Sequence, residues 1–436
     1  MKGALVSCDI SIVTDQYLCN SCGACLGSCP QNAIQFSETL GGYLFPQIDR
    51  SKCTKCGLCY QVCPGAGLGR ALCKKLPKDP FVGDILSCDV GRATEEDIFA
   101  NSQSGGVVTA LLQSLFDNGK IEAAIVATMC VGDPPRGKVM IVRNSSELIH
   151  AQKSKYTPIP VLRALREVLS IGGTIALVGL PCHIHGLDNL QDILHVFARL
   201  DVVKIGLICD RIMLCSAIDF MARKATADTV NNFTFRDKKN GNYPGNPVAY
   251  KLGGKKIVLK ASLRLAIKDF FTPARCRLCF DKMNIFADIV CGDPHGINGV
   301  DRKNGETLVI SRTQRGKEII EQAKNGRTVE VRPVSIESVV NGQLVERKKK
   351  EWHAYMTAWN GMGKNLPSYP IEYRTQSDVT GYRQRLDHAL RIDKYDSVFE
   401  LMKAADRCLL QYKVLKFSAL PLKALRSVVQ AVRNRD

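Results

Sequence analysis

The chain has 436 residues, 45% of them apolar, and a net charge of +18. This length predicts two or three domains, and the absence of any run of about 18 apolar residues argues against a membrane-spanning helix. The apolar stretch near residue 1 is too short for a secretory signal. Nineteen cysteines therefore indicate metal ligation in a reducing compartment, not disulfides, and we expect a cytoplasmic protein.

The excess of basic residues is compatible with nucleic acid, an anionic membrane face, or acidic proteins and cofactors. The sequence contains no recognisable nucleic-acid module, so we expect no nucleic-acid partner. Acidic electron carriers and polyanionic cofactors are the more economical interpretation. A basic surface that is merely solvated is the alternative.

Two cysteine runs of identical spacing lie near the N-terminus. Each reads C-x2-C-x2-C-x3-C-P, the spacing that holds cubane iron–sulfur clusters, in which the fourth cysteine binds the neighbouring cluster. The first cysteine set is therefore predicted to be Cys19, Cys22, Cys25 and Cys63, and the second cysteine set Cys53, Cys56, Cys59 and Cys29. Two complete runs disfavour the alternatives, a disulfide framework or zinc sites. Residues 10–70 resemble the bacterial two-cluster ferredoxins.

Strand and helix signals alternate after a proline-punctuated linker at residues 76–80. Helices are predicted at 107–116, 161–169 and 316–324. Buried strands are predicted at 123–127, 174–180 and 202–208, a further strand at 308–310, and a hairpin around Gly253 and Gly254. We therefore predict an α+β (mixed α/β) protein with a ferredoxin-like two-cluster domain over 1–75, an α/β body over 76–345 and a helical basic region over 346–436.

The last region begins with a basic run at 347–350 and carries an apolar stripe from Leu409 to Val432, interrupted at Pro421. A basic amphipathic segment can lie on a membrane surface or dock on an acidic protein partner. The alternative is that it covers the protein's own core.

Four cysteines of the body form the third cysteine set. Cys182 and Cys209 each follow a predicted buried strand, and Cys276 and Cys279 form a C-x2-C pair. Sites in α/β sheets gather at strand ends. By spacing alone, these residues predict a third [4Fe–4S] cluster, a zinc site or buried apolar cysteines.

The body resembles the β subunits of coenzyme F-420 hydrogenases and dehydrogenases, a single family, over about residues 95–345. The resemblance depends on Q-S-G-G-V-V-T at 103–109, K-S-K-Y-T at 153–157, V-G-L-P-C-H-I-H-G-L at 178–187, I-G-L-I-C at 205–209, C-R-L-C at 276–279 and G-D-P-H-G at 292–296. It implies an FAD-binding body and one [4Fe–4S] cluster held by Cys182, Cys209, Cys276 and Cys279. The chain would then hold three clusters.

The FAD contacts that we expect from this resemblance are Ser104, Gly105, Gly106, Lys155, Tyr156 and Asp293. Gly105 and Gly106 at a helix start would offer N–H groups to the pyrophosphate, with a tight turn as the alternative. His183 and His185 are either hydrogen-bond donors to the flavin or cluster, or structural. Cys291 is expected to be a small buried hydrophobe, and no catalytic residue is assigned.

The sequence thus predicts a flavin-dependent iron–sulfur oxidoreductase. It would couple hydride chemistry at FAD to one-electron transfer through the clusters, with the deazaflavin coenzyme or ferredoxin as redox partner. One alternative is a non-catalytic electron-transfer subunit of a larger complex, and another is a ferredoxin-dependent reductase of an organic substrate. We expect a homo-oligomer or a complex subunit.

Overall fold

The computed structural model describes residues 8–418. The first elements are α1 (Ser11–Asp15), α2 (Ala24–Ser28), β1 (Ile34–Glu38), β2 (Leu44–Ile48), α3 (Leu58–Gln61) and α4 (Arg70–Lys74). Strands β1 and β2 pair antiparallel, with Ile34 opposite Ile48. One cysteine run precedes this hairpin and the other follows it, so the hairpin separates two similar loop-and-helix units.

Two sheets form the body. Their strands are β3 (Ser87–Ala93), β4 (Ala123–Cys130), β5 (Arg136–Val142), β6 (Thr174–Gly179), β7 (Asp201–Leu207), β8 (Val230–Asp237), β9 (Asn246–Lys251), β10 (Lys256–Val258), β11 (Ile289–Gly292), β12 (Thr307–Ser311) and β13 (Val329–Pro333). The larger sheet has the order β13-β3-β12-β11-β7-β6-β4-β5, and the smaller one the order β10-β9-β8. Strands β4, β6, β7 and β11 are parallel, so their carboxyl ends lie at one edge of the sheet.

Helices cover the sheets and continue through the last region. They are α5 (Glu96–Asn101), α6 (Val107–Asp117), α7 (Leu165–Val168), α8 (Pro181–Ile193), α9 (His195–Ala198), α10 (Ser216–Ala225), α11 (Ala261–Ile267), α12 (Ala274–Arg277), α13 (Gln314–Asn325), α14 (Ile336–Gly342), α15 (Val345–Asn360), α16 (Thr380–Arg391) and α17 (Val398–Ser418). Short 3-10 helices cover Ser145–Ala151, Val161–Ala164, Lys238–Asn240 and Ile392–Lys394. Within residues 8–418, no helix combines the length and apolarity that crossing a membrane requires.

The mixed α/β class is confirmed, and the four predicted strands correspond to β4, β6, β7 and β12. The predicted hairpin is the turn between β9 and β10, where Lys256 pairs with Tyr250. The helix predicted over 161–169 is α-helical only in α7. Its first turn is a 3-10 helix, in which the Arg163 N–H donates to the Pro160 carbonyl oxygen at 3.1 Å, and the Leu162 N–H donates to the Cys22 carbonyl oxygen at 3.0 Å.

The three predicted segments meet in one continuous hydrophobic core. The Tyr43 hydroxyl, from the N-terminal hairpin, donates to the Ala389 carbonyl oxygen in α16 at 3.0 Å and accepts from the Ala274 N–H at 3.3 Å. A carboxylate oxygen of Asp393 accepts from the Thr39 hydroxyl at 2.6 Å. The division at residues 75 and 345 stays a prediction, and these contacts cross both boundaries.

The described part of the last region mainly covers the core. Trp352 and Trp359 of α15 are fully buried, as is Leu401 near the start of α17. Further along α17, Leu410 and Val414 are exposed. The part of the predicted apolar stripe beyond residue 418 lies outside the described residues.

Candidate functional site

The two N-terminal cysteine loops share a backbone geometry. Ser21 and Lys55, each two residues after the first cysteine of its run, have positive φ values of 54° and 58°. The Ser21 N–H donates to Cys19 Sγ at 3.2 Å, and the Lys55 N–H donates to Cys53 Sγ at 3.4 Å. Hydrogen bonds to ligand sulfur are one way in which a protein tunes the potential of a cluster.

A glycine precedes each short cysteine helix. Gly23 and Gly57 have φ values of 90° and 74°, a conformation that favours glycine. At Gly23 a Cβ would also lie 2.9 Å from the Pro160 carbonyl oxygen. The first loop therefore packs directly on the body, with no room for a side chain between them.

All four cysteines of the first set are buried. Burial raises the pKa of the thiols, to about 12 for Cys22. For Cys25, burial and then the nearby thiols of Cys19, Cys22 and Cys63 raise the pKa. Without metal, these thiols resist ionisation. Metal binding displaces their protons and stabilises them as thiolates.

The second cysteine set lies nearer the surface. Burial, together with Asp9 and Cys56, raises the pKa of Cys59 to about 11, whereas Cys56 itself is exposed. Cys29 and Cys53 are half-buried, and Cys29 Sγ accepts from the Ala33 N–H at 3.3 Å. This set is therefore the one of the three that includes an exposed cysteine.

The third cysteine set comes together at the carboxyl edge of the parallel strands. Strands β6 and β7 are paired neighbours, and they are followed by Cys182 in the first turn of α8 and by Cys209. Cys276 lies in α12 and Cys279 just after it. Burial raises the pKa of the Cys182 thiol, and the thiols of Cys22, Cys209, Cys276 and Cys279 raise it further. Ligation of a cluster by these four residues stays a prediction.

Helix α8 brings the third cysteine set next to the first. Gly186 lies one turn after Cys182, and a Cβ there would be 3.2 Å from Ala24 Cβ and 3.5 Å from Cys22 Sγ. Glycine permits this close approach of the two helices. The two cysteine sets are therefore neighbours through α8.

The cysteine sets do not form a single-ion site as they stand. Among residues 8–418, no three Cys, His, Asp or Glu side chains are close enough to hold one metal ion. For the third cysteine set, the cluster and the zinc site both stay predictions.

A buried cation that the sequence analysis missed faces the third cysteine set. Lys348 of α15 is 9% exposed, although it belongs to the basic run that we had assigned to the last region. Burial raises the pKa of Cys209, Cys276 and Cys279, and the Lys348 ammonium opposes this increase. The only sequence signal was the run of charges itself, which does not show which lysine points inward.

Gly105 is needed for packing. Its N–H donates to Thr307 Oγ1 at 3.0 Å, and a Cβ would lie 2.3 Å from the Gly91 carbonyl oxygen of β3. The Ser104 hydroxyl lies 3.3 Å from the same Thr307 oxygen. The expectation of an exposed Gly105 N–H is therefore wrong, and an N–H cradle at this helix start begins at Gly106, whose φ is 78°.

Lys155 is held by backbone carbonyl groups. Its Nζ donates to the carbonyl oxygens of Ala151 at 2.6 Å and Gln152 at 2.9 Å, at the end of the 3-10 helix Ser145–Ala151. Burial, with a smaller effect from Lys153, lowers the pKa of Lys155 to about 7. These bonds account for the side chain without a phosphate.

The motifs at 103–109 and 153–157 are in direct contact. The Ser154 N–H donates to Gln103 Oε1 at 2.8 Å, and Gln103 Nε2 donates to Ser154 Oγ at 2.9 Å. This reciprocal pair places the helix start of α6 beside the segment that carries Lys155 and Tyr156.

Two arginines that the sequence analysis missed surround Tyr156 and Asp293. Arg236 Nη1 donates to the Tyr156 hydroxyl at 3.2 Å and to an Asp293 carboxylate oxygen at 2.6 Å. The Arg264 guanidinium lies 5.0 Å from the centre of the Tyr156 ring. Arg264 is 8% exposed, and its buried Nε has no hydrogen-bond partner among the described residues. Two buried guanidinium groups beside one carboxylate favour an anionic ligand.

His183 and Cys291 have structural surroundings. His183 Nδ1 accepts from the Leu180 N–H at 3.2 Å, and burial lowers its pKa to about 4, so it is neutral at physiological pH. Cys291 is 1% exposed in β11, and burial raises its thiol pKa to about 12.

Comparison with protein families adds three matches. Residues 89–166 match the family model "Coenzyme F420 hydrogenase/dehydrogenase, beta subunit N-term", and residues 172–337 match the corresponding C-terminal model. Residues 18–66 match the model "4Fe-4S dicluster domain". The first two models belong to one family and together cover more than half of the chain.

Two curated relatives extend over most of the chain. Coenzyme F420-dependent sulfite reductase of Methanocaldococcus jannaschii is 29% identical over 324 residues, which is 70% of this chain and 46% of that protein. The chain thus spans about half the length of that relative. One component of the F(420)H(2) dehydrogenase of Methanosarcina mazei is 27% identical over 350 residues, covering 78% of this chain and 92% of that component.

A solved structure has a similar fold. It is a chain of the F420-reducing [NiFe] hydrogenase complex from Methanosarcina barkeri, with a TM-score of 0.51 and 20% identity. The match covers 66% of the present 436-residue chain and 98% of the hydrogenase chain.

Proposed function

The chain belongs to the family of coenzyme F420 hydrogenase and dehydrogenase β subunits and carries a 4Fe-4S dicluster domain, and from this premise we propose that it is a flavin-dependent oxidoreductase with three [4Fe–4S] clusters. It would exchange a hydride with the deazaflavin coenzyme and pass single electrons through its clusters. The observation that supports this proposal best is the contact of α8 with the first cysteine loop. Because Gly186 brings Cys182 close to Cys22, a cluster at each cysteine set would have a near neighbour.

The positions of the cysteine sets suggest the order in which electrons would pass between the clusters. The first set is buried and has Cys182 of the third set and Cys59 of the second set near it, the third set is half-buried, and the second set includes the exposed Cys56. Electrons would therefore enter or leave the chain at the second set. A ferredoxin or a partner subunit would dock there.

FAD, when bound, supplies the exchange between two-electron and one-electron chemistry. We propose that Ser104, Gly106, Lys155, Tyr156 and Asp293 flank it, together with Arg236 and Arg264. Gly105 only shapes the turn before Gly106, because its N–H is bonded to Thr307. The buried, unpartnered Nε of Arg264 supports this assignment because a phosphate or another anionic group would satisfy it. The acidic deazaflavin coenzyme also suits a strongly basic chain.

Iron analysis tests the cluster count. Anaerobically prepared protein should contain about twelve irons and as many sulfides per chain. Cys276→Ser should lower the iron content to about eight, and Cys73→Ser, a half-buried cysteine outside the three sets, should leave it unchanged. A content of about eight in the unmodified protein, unchanged in Cys276→Ser, would remove the third cluster from the proposal.

Flavin analysis and reduction by the deazaflavin coenzyme test the enzyme assignment. The isolated chain should purify with FAD, and the reduced coenzyme should bleach both flavin and cluster absorbance. The second candidate is an electron-input unit without flavin chemistry of its own, favoured because this chain matches only 46% of the F420-dependent sulfite reductase. Cluster reduction by ferredoxin but not by the coenzyme, in flavin-free protein, would support that candidate.

A further inference from the structure

Arg275 is a buried cation without a carboxylate partner in the described part of the chain. It lies in α12 directly before Cys276 and is 2% exposed. Its Nη2 donates to the Pro64 carbonyl oxygen at 2.8 Å and to the Tyr369 hydroxyl. Its Nε and Nη1 are buried and have no hydrogen-bond partner among the described residues.

The neighbouring Arg277 shows what a structural arginine looks like in the same helix. It is 3% exposed, and its Nη1 donates to an Asp269 carboxylate oxygen at 2.9 Å and to the Tyr355 hydroxyl at 3.0 Å. A buried guanidinium normally needs such an anion, because its desolvation is otherwise unfavourable. Arg275 has the same burial but no such anion among the described residues, where its partners are one carbonyl oxygen and one hydroxyl.

The positions of the cysteines show where that negative charge would lie. Pro64, which accepts from Arg275, follows Cys63 of the first cysteine set, and Cys276 of the third set follows Arg275. The guanidinium therefore lies between two cysteine sets.

We propose that the free Nε and Nη1 groups of Arg275 donate hydrogen bonds to the sulfur atoms of the clusters held by the first and third cysteine sets, and thereby raise the reduction potentials of both. This inference rests on the proposed third cluster. A reduced cluster carries one more negative charge than the oxidised cluster, so a buried cation and hydrogen bonds to sulfur stabilise the reduced state. When one electron passes between the two clusters, the donor cluster is oxidised and the acceptor cluster is reduced. Arg275 would stabilise the reduced form of each cluster.

The test is a redox titration of the holoprotein, followed by electron paramagnetic resonance after iron analysis. In Arg275→Met, the equilibrium constant for reduction of the first-set and third-set clusters should fall at least tenfold, which is 59 mV for a one-electron couple. The second-set cluster should keep its potential. Arg277→Lys is the matched control in the same helix and should shift none of the three.

The outcomes separate this inference from the proposed function. Unmodified protein with about eight irons would end the proposal of a third cluster, whatever the variants do. About twelve irons with unshifted potentials in Arg275→Met, or equal shifts in all three clusters, would overturn the role of Arg275 alone. If Arg275→Met loses iron, the same tenfold shift must appear in Arg275→Gln, and loss of clusters in both variants would show that Arg275 is structural.

Discussion

The imidazole Nε2 of His185 lies 2.9 Å from a carboxylate oxygen of Asp281, and both side chains are almost fully buried. His185 is in α8, one turn after Cys182, whereas Asp281 lies two residues after Cys279. The Asp281 carboxylate also accepts from the Ile285 N–H at 3.2 Å. This bond therefore ties together the two elements that provide most of the third cysteine set.

We predict that His185→Phe lowers both the melting temperature and the iron content. The phenyl ring would keep the packing against Phe280 and Phe286, but the buried carboxylate would lose one hydrogen bond, at a cost of about 1.5–3 kcal/mol. Thermal unfolding and iron assay under anaerobic conditions measure the two effects. His195→Phe, at an exposed position, is the control, and wild-type values for both quantities in His185→Phe would contradict this role.

We predict that Arg236→Met releases FAD and destabilises the protein by about 3–5 kcal/mol, because the Asp293 carboxylate would lose its buried partner. Arg236→Lys should keep part of the stability but not the two-point contact with Tyr156 and Asp293. Flavin content and unfolding free energy are the measurements. Arg315→Met, which removes an exposed ion pair with Asp201, should change stability by no more than about 1 kcal/mol. Full flavin in Arg236→Met would place FAD elsewhere.

Substitution of Gly106 separates backbone strain from phosphate binding. A Cβ there would lie 3.2 Å from the Ile98 carbonyl oxygen, and a left-handed conformation costs an L-residue about 1–2 kcal/mol. Gly106→Asn tolerates this conformation better than Gly106→Val does. We predict that both variants lose FAD and keep their iron, and that only Gly106→Val is clearly less stable. If Gly106→Val purifies with full flavin, the glycine serves only the turn.

Lys155 predicts a dependence of stability on pH. Its pKa is lowered by burial to about 7 in the folded protein, from 10.5 when unperturbed. Between these values the unfolded chain binds more protons than the folded chain, so the unfolding free energy should rise with pH from about 7 to about 10.5. Below pH 7 the cost of burying the ammonium is fully present. In Lys155→Met, the melting temperature should rise less steeply with pH over this range than in the unmodified protein. An equal slope in both proteins would contradict the burial of the Lys155 amine.

The sequence was most informative where local spacing determines the chemistry. The cysteine runs predicted two equivalent loops, and the matched geometry of Ser21 and Lys55 follows from that repeat. The apolar runs likewise predicted the parallel strands β4, β6 and β7. Strand β5 was not predicted, because it begins with Arg136 and only its last residue, Val142, is buried.

The site features that the sequence did not indicate depend on contacts between residues that are far apart in the chain. Arg236 and Arg264 are 28 positions apart, and nothing local shows that they meet at Tyr156. Lys348 and its basic neighbours look alike as sequence, because only the packing of α15 buries one of them. The sequence suggests a phosphate-binding role for Gly105. In the structure, the glycine is needed because a side chain there would collide with the backbone of β3.

The hydrogen bond from Tyr43 to Ala389 has a consequence for biosynthesis. Its two residues are 346 positions apart, so the ribosome completes the dicluster segment long before α16 exists. Until then, the packed rings of Tyr17, Tyr43 and Phe45 lack the helix that covers them, a state that favours misassembly and chaperone binding. A cluster inserted before residues 380–391 have been made would therefore enter a unit that α16 does not yet cover, and α16 completes the enclosure later.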